Sequence, residues 1–90
     1  MPSTFDPAKE AANLRKHGVS LAEGDGVLND PLALTIEDSS SQGEQRFVSI
    51  GMNVFGKLHV VVYALRGDDA RIISVREAEP KEIRAYEEGV

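Results

Sequence analysis

The run Lys57-Leu58-His59-Val60-Val61-Val62-Tyr63-Ala64-Leu65 decides how this chain folds. Branched and aromatic side chains favour a pleated strand, and a near-continuous apolar run fits one covered on both faces. Turn chemistry brackets it, with Asn53–Gly56 before and Arg66-Gly67-Asp68-Asp69 after. Working outward, Arg46–Met52 sets Val48, Ile50 and Met52 on one face of a strand, and Ala70–Arg76 supplies another. Leu32, Leu34 and Ile36 alternate with Ala33, Thr35 and Glu37, the period of a further strand. Asp38–Gly43 is polar and reads as a loop. Short links between consecutive strands predict an antiparallel, four-stranded sheet. If the last strand is regular, Ile72, Ser74 and Arg76 share one face while Arg71, Ile73 and Val75 share the other.

Helices flank this core. Asp6-Pro7 is a capping residue followed by a proline suited to the first helical position, and Gly18 supplies the stop. Phe5, just ahead of the cap, with Ala8, Ala12 and Leu14 gives this helix a thin apolar stripe. Ser20 with Glu23 has the capping-box spacing and opens a second helix, which Gly24 and Gly26 keep short. Asn29-Asp30-Pro31 ends it. Glu79-Pro80 starts a final helix with Ile83 and Tyr86 facing inward. The expected architecture is a single α+β domain over residues 1–90: an antiparallel four-stranded sheet, two N-terminal helices and one C-terminal helix.

Composition narrows the chemistry. Ninety residues leave no room for a second core, and 41% hydrophobic with 28% charged residues fits a globular chain. The absence of cysteine excludes disulfides, thiolate metal sites and cysteine nucleophiles, and suits a reducing cytoplasm. No stretch reads as a signal peptide or membrane span, so a cytoplasmic protein is expected. The net charge of −5 argues against nucleic-acid binding by bulk electrostatics. The acidity is one-sided. Residues 1–45 carry all of it, whereas the basic and acidic side chains of residues 46–90 balance. Five of the seven bases in that second half are arginines, whose planar fork suits phosphate or carboxylate.

Several motifs recur in a fixed order. The first helix and its exit read Lys9-x-x-x-Asn13-Leu14-x-Lys16-His17-Gly18-Val19-Ser20, and Asp30-Pro31 follows. Next come Gly43-Glu44-x-Arg46-Phe47, Ile50-Gly51, Arg71-Ile72-Ile73-Ser74-x-Arg76-x-Ala78, then Glu82 and Tyr86-Glu87. This ordered set resembles the BrnT family of type II toxin–antitoxin ribonuclease toxins over roughly residues 5 to 87. The resemblance implies a RelE-like fold, metal-independent RNA cleavage and neutralisation by a cognate BrnA-like antitoxin. DNA would then be contacted only indirectly, through that antitoxin. The chain departs from the family pattern after Arg76, where Glu77-Ala78-Glu79-Pro80 stands in place of basic residues. Acids there repel phosphate, which motivates a second expectation: a non-catalytic, toxin-fold binding domain acting in a repressor complex.

RNA cleavage needs a base for the 2′-hydroxyl proton, cations for the phosphorane and an acid for the leaving oxygen. The candidate catalytic group is His17, Glu44, Arg46 and Arg76, with Lys16 and Ser74 as RNA contacts. Each has a plainer reading. Arg76 could pair with Glu79 or Glu82, Glu44 and Arg46 could form an edge ion pair, and His17 could cap the helix end. Lys16 could be solvated, Ser74 could bond neighbouring backbone, and Arg71 would be structural or antitoxin-facing. His59, inside the most apolar strand, is expected to be a hydrogen-bonded core or edge histidine. With only two histidines, no His-x-x-x-His spacing and no phosphate loop before a helix, neither a metal nor a cofactor is expected.

Overall fold

The computed structural model describes residues 3–38 and 43–89. In chain order it contains β1 (Ser3–Thr4), α1 (Pro7–His17), a single 3-10 turn (Leu21–Glu23), α2 (Gly24–Leu28), β2 (Leu34–Asp38), β3 (Arg46–Met52), β4 (Leu58–Arg66), β5 (Asp69–Glu77) and α3 (Pro80–Glu88). The strands form one sheet in the order β1-β5-β4-β3-β2. Strands β2 to β5 are an antiparallel meander. Strand β1 adds to it in parallel, Ser3 opposite Ala70 and Thr4 opposite Arg71. The expected four-stranded antiparallel sheet is therefore corrected to a five-stranded mixed one. Two residues carry no readable period, and their pairing spans most of the chain, so the sequence pattern could not announce β1. Residues 39–42 of the expected Asp38–Gly43 loop lie outside the described residues.

The apolar run is the centre of the sheet, as its composition requires. His59, Val60, Val61, Tyr63 and Ala64 of β4 are all buried. Residues directly opposite in an antiparallel pair share a face. Phe47, Ser49 and Gly51 of β3 thus lie beside Tyr63, Val61 and His59 of β4, and the Phe47 and Tyr63 rings stack with centroids 5.7 Å apart. Leu21 and Val27 close this face from the helical side. Gly24 shows why the short helix tolerates glycine: a Cβ there would meet Ile72, Val75 and Val61 side chains at 3.1–3.2 Å. What reads as a weak helix former is a site of close helix-to-sheet approach.

Three local expectations change on this side. In α1 the anticipated stripe of Phe5, Ala8, Ala12 and Leu14 is exposed, and the buried residue is Asn13. Its amide donates to the carbonyls of Val19 and Val75 and accepts the Val75 N–H. Asn13 thereby satisfies the β5 edge beyond the point where β1 stops. Glu23 does not complete the capping box. Glu10 accepts the Leu21 N–H and Ser20 hydroxyl instead, while Glu23 accepts from Asn53. Leu32 precedes β2 in a turn and is exposed rather than occupying a strand position.

Helix α3 packs against the opposite sheet face and has no buried residue. It is pinned by polar contacts. The Tyr86 hydroxyl donates to Asp30 at 2.6 Å, and the same carboxylate accepts the N–H groups of Met52 and Leu32. Burial alone would raise the Asp30 pKa, but those hydrogen bonds outweigh it and hold the carboxyl below its ordinary value.

Strand β5 is not regular. Val62 lies opposite Ser74 and Tyr63 opposite Ile72, which leaves Ile73 as an extra residue. The bulge re-aims everything on one side of it. Ile72 and Val75 both enter the core. Arg71 and Arg76, opposite Ala64 and Val60, join Ser74, opposite Val62, on the other face. The expectation that Arg71 and Arg76 face apart holds only for an unbroken strand and is overturned here.

Candidate functional site

The candidate residues fall into three groups rather than one. The first sits where α1 crosses the bulged edge of β5. Lys9, Ala12, Asn13, Lys16 and His17 recur at helical spacing and, with Ile73 and Ser74, line a cleft of about 270 Å³. A helix face turned toward a sheet is usually apolar. Here the buried position is Asn13, which anchors the helix to β5, while Lys9 and Lys16 stand exposed at the cleft and His17 is half-buried. Among the described residues, no carboxylate forms an ion pair with Lys9, Lys16 or His17. Lys16, His17 and Ser74 thus share one basic recess in a chain of net charge −5.

The second group stands at the far end of β3. Glu44 lies 3.7 Å from the Arg46 Nε and 3.3 Å from an Arg66 nitrogen. Arg46 and Arg71 flank Ala64 from either side on the same sheet face. That places their Cα atoms about 10 Å apart across two strand spacings. Arg71 itself is 3.7 Å from the Asp6 carboxylate.

The third group is Arg76 with Glu82 of α3. Both terminal guanidinium nitrogens donate to Glu82 oxygens at 2.9 Å, and one also donates to the Glu77 carbonyl. The Glu82 carboxylate holds Arg76 above its ordinary pKa, against the opposing effect of burial. In turn the guanidinium holds Glu82 below the usual carboxylate value. Glu82 also accepts the Glu79 N–H, so one side chain both caps α3 and neutralises the strand-end arginine. Arg76 lies about 16 Å from Arg46 by strand geometry, on the same face but beyond reach of a shared phosphate.

The grouping of His17, Glu44, Arg46 and Arg76 as one cluster is therefore not what the fold assembles. The sheet face carries Arg46, Arg71, Ser74 and Arg76. The cleft carries Lys16 and His17, and Ser74 belongs to both. Lys9 and Asn13 were missed as site residues, although their i, i+4, i+7 spacing to Lys16 was visible as a polar stripe. The bulge had no sequence signal.

Elsewhere, His59 is buried, with its Nδ1 3.3 Å from the Asn53 side-chain nitrogen. No group of three or more potential metal ligands occurs among the described residues. No helix among them is long and apolar enough to cross a membrane.

Comparison with known proteins follows this geometry. Residues 5–82 match the family described as ribonuclease toxin, BrnT, of type II toxin–antitoxin system. The crystal structure of the Brucella abortus ribonuclease toxin BrnT superposes with a TM-score of 0.68 at 22% sequence identity. The match covers 88% of this chain and 99% of that one, which establishes a shared fold. A search of curated proteins found no match. With a family match across most of its length, this chain belongs to the BrnT family of type II toxin–antitoxin ribonuclease toxins.

Proposed function

We propose that this toxin cleaves RNA in the cleft between α1 and the β5 bulge, by acid–base chemistry that needs no metal. The observation that carries the reading is the convergence of Lys16, His17 and Ser74, with Lys9, in one recess where no carboxylate among the described residues forms an ion pair with them. His17 takes the 2′-hydroxyl proton as that oxygen bonds to phosphorus and the bond to the 5′-oxygen breaks. The Lys16 ammonium supplies the proton for the departing oxygen, leaving a 2′,3′-cyclic phosphate and a 5′-hydroxyl. Lys9 and the Ser74 hydroxyl hold the non-bridging oxygens, where charge builds in the transition state. Arg71 and Arg46 receive flanking phosphates along the sheet face.

The toxin acts in the cytoplasm and is held in check by a cognate BrnA-like antitoxin, through which alone it meets DNA. Purified free of antitoxin, the chain should cut RNA in the presence of EDTA, with the rate falling at least ~100-fold in His17→Ala. Inhibition by EDTA would defeat the metal-free mechanism, and an undiminished His17→Ala would defeat the site. A non-catalytic binding domain is the second reading. It is favoured by the carboxylate pairing of Arg46 and Arg76, and requires intact antitoxin binding without any cleavage.

A further inference from the structure

The Arg76–Glu82 pair carries an inference that rests on the RNA-cleaving reading and deepens it. Arg76 lies on the same face of β5 as Ser74, which lines the proposed cleft, and two residues beyond it, about 7 Å further along the strand. A guanidinium binds phosphate best through two parallel N–H donors, and Glu82 occupies that fork with both oxygens at 2.9 Å. The helix that delivers Glu82 has no buried residue. Among the described residues its other polar anchor to the body is the Tyr86–Asp30 hydrogen bond, and Ile83 borders a recess with Met52 and Leu58.

We propose that Glu82 is a built-in competitor for substrate phosphate: α3 keeps its carboxylate in the Arg76 fork, and RNA gains Arg76 only by displacing it. The arrangement sets substrate affinity and leaves the chemical step to the cleft. It also gives the acidic segment Glu77–Glu82 a role, since every carboxylate near the fork raises the local cost of bringing phosphate in.

The test uses Glu82→Gln, which removes the charge yet keeps an oxygen to accept the Glu79 N–H. Fluorescence anisotropy with a single-stranded RNA oligonucleotide, blocked against cleavage by 2′-O-methyl groups, is measured across a salt series. Glu82→Gln should bind on the order of 10-fold more tightly, the scale of one charge-assisted contact. The slope of log K against log salt should steepen by about 0.7, the signature of one more neutralised phosphate on a single strand. Adding Arg76→Ala should erase both gains. Tyr86→Phe frees α3 at its other anchor without touching the fork, and should shift both readouts in the same direction. It decides the matter if Glu82→Gln does not fold. Wild-type binding with no gain in these variants, or weaker binding in Glu82→Gln, overturns the competitor role alone. No binding by any of the proteins defeats the RNA reading and the competitor role together.

Discussion

The two ends of the β5 segment beyond the bulge meet opposite electrostatic fates. Ser74 opens toward α1, whose Lys9, Lys16 and His17 line the cleft with no ion-paired carboxylate among the described residues. Two residues on, Arg76 is gripped by Glu82, and the α3 side is held together by acid-containing contacts to Arg76 and Tyr86. Both ends present polar side chains on a half-open sheet edge. They differ in whether the charge is already spent within the fold. A basic group without an ion-pair partner adds no pair energy to the fold, and the lining of one cleft collects three of them, Lys9, Lys16 and His17. A paired arginine explains itself structurally and needs a displacement step before it can do anything else.

Perturbing each end separately should bring out that contrast. The largest effect is expected at the cleft's anchor. Asn13→Ala removes three hydrogen bonds and strands the Val75 and Val19 backbone groups, at a cost of about 3–5 kcal/mol. Urea denaturation measures it, and a loss below about 1 kcal/mol would mean that α1 is held by something else. Next, Lys16→Ala should weaken RNA binding on the order of 10-fold and flatten the salt slope by about 0.7. Its thermal midpoint should barely move, because Lys16 is exposed. At the other end, Arg76→Ala should cost about 1 kcal/mol of stability, since the pair is only partly shielded from solvent.

Acid should find the same pair. The Glu82 pKa is lowered by Arg76, so its stabilisation is present above the ordinary glutamate pKa of 4.5. It is lost as pH falls through the lowered value. Stability curves of wild type and Glu82→Gln should therefore begin to approach each other as pH falls below 4.5 and meet only below the lowered value. The smallest effect belongs to neither region. Ile36→Thr, on exposed β2 away from both ends, should stay within about 0.5 kcal/mol.

Much of this division follows from how far each feature reaches along the chain. The β2–β5 meander was legible because Val60–Val62 and the alternation in Arg46–Met52 are local patterns, and both turns carry their own chemistry. Strand β1 was not, because two residues have no period and their partner lies more than sixty residues away. The bulge at Ile73 was equally silent, since Ile72 and Ile73 are alike in composition and only tertiary packing selects which one enters the core. That single extra residue moved Arg71 to the face of Arg76. At the site, Lys16, His17 and Ser74 were named from residue chemistry, and the fold gathers them. Glu44 and Arg46 were placed with Arg76 by motif order, which says nothing about distance across a sheet. Glu79 and Glu82 were both open as partners for Arg76, and the fold selects Glu82.

Residue-by-residue mapping of where RNA first lands is the most direct check. Amide chemical-shift changes in isotopically labelled protein, titrated with a 2′-O-methyl-blocked RNA oligonucleotide, would read it. The account predicts that the earliest and largest shifts fall on Lys9, Asn13, Lys16, His17 and Ser74. Shifts centred on Glu44, Arg46 and Arg66, with the α1–β5 cleft silent, would contradict it.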